Sequence, residues 1–199
     1  AWTSTPADRD HWRQVLGPEP FALYVASAHP PNVSGFCESF GECMAALSPV
    51  QKVVLAGSVT EHILSSAWYA HWGPLNARRI HPAGVLSDAQ LSALRDLVHT
   101  FVLPMTSGGG SNLKTAEALH SGRHVVATPH AMRGFEAMAD LPGVVVTQPG
   151  IPFAQAVATS LLQPQPGADA ASLARRATLT WSHTLAALCD AIEAHSRKS

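Results

Sequence analysis

The stretch from Phe101 to Pro129 (FVLPMTSGGGSNLKTAEALHSGRHVVATP) constrains the fold of this chain more than any other. Its pattern predicts, in order, a buried strand, a glycine-rich loop, a short helix and a second buried strand: Phe101–Leu103, Ser107–Gly110, Ser111–Ser121 and His124–Thr128. The first N–H groups of a helix have no partners within the helix, and the helix dipole favours negative charge there. The stretch therefore predicts an anion site where the glycine loop, residues 107–110, meets the helix.

Short apolar runs alternate with helical patterns on both sides of this stretch. Runs without period-2 polarity, typical of strands covered on both faces of a parallel sheet, occur at Phe21–Ser27, Lys52–Gly57, Ile80–Gly84 and Gly143–Thr147. Apolar spacing or capping residues predict helices at Val33–Leu47, Ser87–Leu97, Ile151–Leu162 and Ala168 to about His195. This alternation predicts an α/β fold with a parallel sheet and helices on both of its faces.

The domain organisation follows from composition. Residues 1–20 are polar and rich in proline, which predicts an incoming linker, although residues 8–16 have a short amphipathic pattern. Residues 21–165 form the predicted α/β domain, and residues 166–199 form a helical region that closes it.

Ligands of a parallel sheet bind outside the carboxyl ends of its strands. Three loops are predicted at that edge: Ala28–Asn32, Gly84–Asp88 and Met105–Ser111. Their convergence defines the candidate site.

The overall charge argues against a polyanionic partner. The formal net charge is -1 and charged residues make up 14% of the chain, so nucleic acid is not an expected ligand. The longest apolar runs have the length of strands, not of membrane spans. Three cysteines, Cys37, Cys43 and Cys189, form neither an even set nor a C-x-x-C pair, which favours buried thiols in a reducing, cytoplasmic compartment.

The glycine loop fits neither common nucleotide motif. A P-loop needs lysine directly after its last glycine, and a dinucleotide fingerprint follows the first strand. A tight turn and an anion cradle both remain open. Lys114 and Glu117 are likewise open to two interpretations: a surface ion pair contributing ~0.3 kcal/mol, or contacts of Lys114 with phosphate and of Glu117 with ribose hydroxyls.

Four segments of the chain resemble a known family. The run SGGGSNLKTAEALHSGRHVVATPHAMRGFE closely resembles the donor-site segment of group 1 glycosyltransferases, which have two Rossmann-like domains in the GT-B architecture. LYVASAHPPNVSGF resembles the first strand and loop of that family's C-terminal domain, and IHPAGVLSDAQLSAL resembles its base-binding segment. The resemblance covers about residues 20–195, and Trp181–Ile192 is similar to the closing helix. It implies a Rossmann-like domain that forms half of a GT-B enzyme.

The resemblance also implies a donor site for a UDP or GDP sugar. Glu117 has the position of the second glutamate of the family's E-x7-E motif, which binds the ribose hydroxyls. Val85 would hold the base through backbone contacts, and His29 and Asn32 would face the diphosphate. The diphosphate or the sugar would also contact backbone amides and short side chains, with Lys114 nearby: Gly108, Gly109, Gly110, Ser111 and Asn112.

Two positions depart from the family pattern. Gly109 stands eight residues before Glu117, where the family has the glutamate that touches the donor sugar. The Arg/Lys pair that follows the first strand is also absent, because ASAHPPN carries only His29. Charge neutralisation would then come from Lys114, from helix dipoles and from Arg133.

The implied activity is sugar transfer with retention at the anomeric carbon. The acceptor site would lie on an N-terminal domain that this chain does not contain, so the isolated domain would bind donor without transferring sugar. That missing domain would also carry any peripheral association with the inner face of a membrane. Two alternatives remain open: a domain of a nucleotide-sugar epimerase of the same architecture, and a stand-alone nucleotide-sugar-binding module.

The remaining chemistry-bearing residues have plainer interpretations. We expect no cofactor and no metal, because His120 and His124 lie on either side of Gly122, where the helix ends. Trp68, Tyr69 and Trp72 are predicted to lie on a helix followed by a loop at Gly73-Pro74. They fit a hydrophobic cluster better than a sugar platform. Arg133 and Glu136 could equally face the site or the solvent, and both alternatives remain open.

Overall fold

The computed structural model describes residues 3–41, 44–109 and 112–185. Within these ranges six strands form one parallel sheet in the order β3-β2-β1-β4-β5-β6. The strands are β1 (Phe21–Val25), β2 (Lys52–Ala56), β3 (Ile80–Gly84), β4 (Thr100–Leu103), β5 (His124–Ala127) and β6 (Val144–Val146). Each predicted strand is confirmed, with small differences at the ends. This is the strand order of Rossmann domains.

Helices cover both faces of the sheet, so the predicted α/β class is confirmed. They are α1 (Pro6–Leu16), α2 (Pro30–Phe40), α3 (Val59–Leu64), α4 (Ala67–Asn76), α5 (Asp88–Leu97), α6 (Leu113–His120), α7 (Ile151–Ser160) and α8 (Ala170–Ala177). A short 3-10 helix lies at Glu136–Met138. None of the helices in the described ranges has both the length and the apolar character needed to cross a bilayer.

Two apolar cores result, one on each face, because successive strand residues point to opposite sides of a sheet. On one face Tyr24 of β1 stacks on Phe36 of α2, and this core includes residues of α3 and α7. On the other face Leu23 of β1 shares a core with residues of α1, α5 and α6. The sheet is therefore buried on both sides, which explains why its strands have no polar alternation.

Residues 6–16 form a packed helix where the sequence predicted part of a linker. The Thr5 side chain accepts from the Asp8 backbone N–H at the N-cap, and Pro6 suits the first helical turn. Trp12 and Leu16 are buried, and the Trp12 indole N–H donates to the Gln90 carbonyl at 3.1 Å. Two large side chains on an otherwise polar helix are enough to attach it to the domain.

Two other helices differ in their bounds from the prediction. Helix α2 begins at Pro30 rather than Val33, because proline is tolerated in a first helical turn, and it ends before Gly41 rather than at Leu47. Helix α4 continues through Pro74, where a loop was expected. The predicted C-terminal helical region begins with α8, and a turn at residues 178–180 follows this helix. Its part from residue 186 onward lies outside the described ranges, as do Cys43 and Cys189.

Candidate functional site

The strand order creates a crevice at the carboxyl edge of the sheet. From β1 the chain runs outward through β2 and β3, and then returns to the other side of β1 to form β4. The loops after β1 and β4 therefore leave the sheet in opposite directions, which opens a ligand crevice between them. These two loops, residues 26–29 and 104–112, include the predicted glycine loop.

The neighbouring backbones at this edge pack too closely for side chains at two glycines. A Cβ added to Gly35 would lie 2.7 Å from the Pro104 carbonyl oxygen, so α2 presses directly on the chain leaving β4. Gly57 has φ +96, and its added Cβ would lie 2.2 Å from the Ala26 carbonyl oxygen. Its N–H donates to the Gly84 carbonyl at 2.6 Å. The chain segments after β1, β2 and β3 thus meet at the same edge.

Lys114 is held across the crevice by a buried asparagine. Its ammonium donates to Asn32 Oδ1 at 2.8 Å and lies 5.9 Å from the centre of the Tyr24 ring. The Asn32 amide donates in turn to the Ser27 carbonyl at 3.0 Å, and the Tyr24 hydroxyl donates to the Asn32 carbonyl at 2.9 Å. Asn32 therefore lies inside α2, not in an open loop, and it positions Lys114.

The environment of Lys114 favours an incoming anion. Burial lowers the pKa of its ammonium, because desolvation disfavours the charged form. None of the ion pairs between described residues includes Lys114. Its ammonium instead contacts a neutral amide oxygen and an aromatic ring. A ligand phosphate would supply the countercharge.

Two basic side chains lie on the other side of the glycine loop. Gly108 has φ +105, and its carbonyl oxygen lies 3.0 Å from His130 Nε2 and 3.3 Å from Arg133 Nη1. Both residues belong to the turn after β5. The Asn112 amide donates to the Ala131 carbonyl at 3.3 Å, which ties this turn to the start of α6. Arg133 therefore contacts the predicted glycine loop while its side chain remains exposed to solvent.

Glu117 has a partner other than Lys114. Its carboxylate accepts from Arg95 Nη2 at 2.8 Å, and its side chain is 45% exposed. The interpretation as an ion pair between Lys114 and Glu117 is wrong, because the two side chains contact different neighbours. Glu117 instead lines a cavity of about 710 Å³ between α5, α6 and residues 178–184. Such a volume is typical of small-molecule sites.

The remaining predicted site residues lie at the same edge or outside the described ranges. Val85 follows Gly84 and is 79% exposed, so its backbone and side chain are open to a ligand. His29 is exposed at the N-cap of α2, and its side chain makes no capping hydrogen bond. Gly109 is exposed, whereas Gly110 and Ser111 lie outside the described ranges.

Sequence reasoning missed three residues of this site. Tyr24 and Ser27 looked like ordinary strand residues, and their role follows from Asn32, which only the fold brings to them. His130 was overlooked among eleven histidines. Its place in the same turn as Arg133 was the available signal.

The aromatic cluster has the expected plain role. Trp68 packs edge-on against the buried Phe36, with 5.7 Å between ring centres, and its indole N–H donates to the Gly41 carbonyl. Trp68 and Tyr69 pack against the core on that face, which confirms the hydrophobic-cluster interpretation for these two. The described residues include no group of three or more His, Cys, Asp or Glu arranged to hold a metal ion.

Comparison with known proteins identifies the fold. No protein-family model and no curated protein matches this sequence. Among solved structures, sucrose-phosphate synthase from Thermosynechococcus elongatus aligns with a TM-score of 0.63 at 14% identity, covering 99% of this chain and 50% of that one. HepE from Anabaena in complex with UDP aligns with a TM-score of 0.62 at 15% identity, covering 96% and 54%. WaaG, a glycosyltransferase involved in lipopolysaccharide biosynthesis, aligns with a TM-score of 0.57 at 16% identity, covering 91% and 48%.

The likeness extends over nearly all of this chain but only part of the others. The chain spans about half the length of the structures it matches. Identities this low establish the fold and no more. In fold, the chain is one Rossmann-like half of the GT-B architecture of glycosyltransferases, as its sequence resemblance predicted.

Proposed function

We propose that this domain binds the nucleoside-diphosphate part of a sugar donor and serves as the C-terminal, donor-binding half of a glycosyltransferase. One observation carries the proposal: the half-buried ammonium of Lys114 lies in the crevice near the N-terminus of α6, where it contacts a neutral amide oxygen and an aromatic ring. Structures of the similar HepE with UDP and with UDP-glucose support a uridine nucleotide as the first ligand to test.

Each part of the nucleotide has a proposed contact. The phosphates bind Lys114 and the backbone amides of Gly108, Gly109 and Asn112, because the dipole of α6 favours negative charge at its N-terminus. Asn32 holds Lys114 in place rather than touching the ligand. Val85, which is exposed after β3, contacts the base. Exposed His29 borders the diphosphate from the side of β1.

The ribose is the proposed ligand of Glu117. A carboxylate on the second turn of α6 accepts hydrogen bonds from vicinal hydroxyls readily, because bonds to charged acceptors are strong. In the present structure that carboxylate is held by Arg95. The Glu117 side of this ion pair is 45% exposed and screened by water, so exchanging one of its interactions for ribose hydroxyls costs little free energy.

The chemistry that follows is electrostatic. In the transferase, departure of the diphosphate from the sugar develops negative charge, which the cation and backbone donors of this domain stabilise from fixed positions. We propose that transfer proceeds with retention and that the acceptor binds a second domain, since this chain spans about half of the similar enzymes. The isolated domain then binds donor but does not transfer sugar.

Calorimetric titration of the isolated domain tests the proposal. UDP is expected to bind more tightly than UMP, and UMP more tightly than uridine, because each phosphate adds contacts with Lys114 and the helix N-terminus. GDP in a parallel titration distinguishes a uracil preference from a general diphosphate site. Absence of heat and of a thermal shift with every nucleoside diphosphate would contradict the proposal.

The role of Glu117 is tested by a variant with two ligands. We expect Glu117→Ala to weaken UDP binding by about 1–3 kcal/mol, the usual cost of hydrogen bonds to a charged group. The same variant should bind 2′,3′-dideoxy-UDP as the unchanged protein does, because that ligand lacks both hydroxyls. Asp10→Ala, which removes an exposed ion pair from α1, is the matched control. Equal losses for both ligands would return Glu117 to the role of a structural partner of Arg95.

A further inference from the structure

We infer that His130 and Arg133 form a second phosphate-binding wall, here called the β5 clamp, which replaces the cationic pair absent after β1. The inference rests on the proposed function and extends it to two residues and to the side of the site opposite β1. It follows from where the turn after β5 lies, from what its side chains contact and from the charges around them.

The β5 clamp points at the glycine loop. His130 Nε2 and Arg133 Nη1 lie 3.0 Å and 3.3 Å from the Gly108 carbonyl oxygen, and the two nitrogens lie 3.0 Å from each other. Two side chains from one turn thus converge on one backbone acceptor. That acceptor belongs to the loop whose amides the proposed phosphates bind.

The turn that carries the β5 clamp is fixed from behind. Thr128 Oγ1 donates to the Met105 carbonyl and accepts from the Ala131 N–H at 3.1 Å. Thr115 of α6 donates to the Ala131 carbonyl at 2.8 Å, and Ala131 is fully buried. His130 and Arg133 are therefore presented from a braced backbone, although their side chains remain partly or largely exposed.

Basic side chains approach the loop from two separate elements. Lys114 approaches from α6, whereas His130 and Arg133 approach from the turn after β5. Two carboxylates lie nearby: Glu38 accepts from Thr106 Oγ1 at 2.6 Å, and Glu136 accepts from the Gly134 N–H at 3.0 Å. Arg133 helps lower the pKa of Glu136, after that carboxylate's backbone hydrogen bonds. A diphosphate carries more charge than Glu136 and offers a guanidinium two oxygens at fork geometry.

The hydrogen bonds of the β5 clamp are expected to change when a phosphate binds. Without ligand, the Gly108 carbonyl accepts from Arg133 Nη1 and lies 3.0 Å from His130 Nε2. A phosphate is a stronger acceptor than a peptide carbonyl, so Arg133 Nη1, and His130 in a form that carries a proton on Nε2, donate to the phosphate when it binds beside the loop. Uridine has no phosphate and therefore makes no contact with the β5 clamp. Comparing uridine with UDP thus separates the contribution of the clamp from that of the rest of the site.

Titration of clamp variants with three ligands tests the inference. We expect Arg133→Ala to weaken UDP binding by about tenfold or more, to weaken UMP binding less, and to leave uridine binding unchanged. His130→Ala should act in the same direction with a smaller effect, and Arg133→Lys should recover part of the affinity because it restores the charge without the fork. Arg13→Ala, which removes an exposed arginine from α1, and His71→Ala, on α4, are the controls.

The outcomes separate this inference from the proposed function. Unchanged UDP affinity in Arg133→Ala, with normal binding by the parent protein, overturns the clamp and leaves the donor site standing. Equal losses for UDP and uridine also overturn it, because they indicate a structural role for the turn. Absence of UDP binding by the parent protein overturns the proposed function, and the clamp falls with it.

Discussion

The two edges of the sheet use histidine in opposite ways. At the amino edge, His99 and His124 stack with ring centres 5.2 Å apart, and their Nε2 atoms contact the carbonyls of Gln163 and Pro164. At the carboxyl edge, His130 contacts a carbonyl of the glycine loop. The contacts are alike, but residues 163–166 close the amino edge, whereas the loop at the carboxyl edge opens onto the crevice. The same kind of contact between histidine and a backbone carbonyl can therefore stabilise the fold or line a candidate site. The difference lies in the segment to which the carbonyl belongs.

The amino edge is filled by the proline-rich segment between α7 and α8. A Cβ on Gly143 would lie 2.2 Å from Pro166 Cγ, and Gln165 Nε2 donates to the His99 carbonyl at 3.2 Å. His124 is 4% exposed. At the carboxyl edge, by contrast, Val85 is 79% exposed. We therefore expect changes at the amino edge to alter stability and changes at the carboxyl edge to alter binding.

The largest expected effect is on the amino edge. His124→Ala should lower the free energy of unfolding by about 3 kcal/mol, because it leaves a cavity and an unpaired Pro164 carbonyl. UDP affinity should stay the same. Denaturant unfolding and calorimetry measure the two quantities, and His71→Ala on the exposed face of α4 is the control. A fall in UDP affinity at a temperature where the variant is fully folded would break the distinction between the edges.

The second-largest expected effect is at the carboxyl edge, where a substitution should weaken binding rather than stability. Lys114→Met should weaken UDP binding by about 1.5–3 kcal/mol, since it removes a charged donor to phosphate. Stability should fall by no more than about 1 kcal/mol, because removing the desolvation cost of a half-buried ammonium offsets part of the loss of its hydrogen bond to Asn32 Oδ1. Lys52→Met is the matched control: Lys52 donates to the Leu16 carbonyl at 2.7 Å, away from the crevice. Equal UDP affinities for the Lys114 and Lys52 variants would contradict the assignment of Lys114 to phosphate.

The smallest effect is on pH dependence. Burial, then His124, lowers the pKa of His99, with Arg123 acting in the same direction and the Gln163 carbonyl against it. The folded state thus binds fewer protons than the unfolded state, so stability falls as pH drops below the ordinary histidine value of about 6.5. Because the ring is only half-buried, we expect less than about 1 kcal/mol.

Comparison with a variant isolates that contribution. His81, whose pKa is lowered by burial and by Lys52, adds to the same trend in the unchanged protein. The difference between the parent protein and His99→Gln, measured as unfolding free energy from pH 7.5 to 5, cancels the part due to His81. Parallel curves for the two proteins would show that the pKa of His99 does not change on folding.

Much of the fold was predictable because it depends on local patterns. The run FVLPMTSGGGSNLKTAEALHSGRHVVATP predicted β4, α6 and β5 in order, and Ser87 does cap α5, in a capping box with Gln90. Helix α1 was not predicted as part of the domain, because its attachment depends on Trp12 finding α5 in three dimensions. Its own composition is mostly polar.

The sequence by itself determined the class of the fold and the location of the site, because strand hydrophobicity, glycine and helix-start signals act over a few residues. It did not determine the partners of the charged side chains. Asn32 meets Lys114 across 82 positions, and Arg95 meets Glu117 across 22. Such pairs depend on strand order, which places β4 beside β1 rather than beside β3. Only the tertiary structure decided that Asn32 holds Lys114 and that His130 and Arg133 contact the glycine loop.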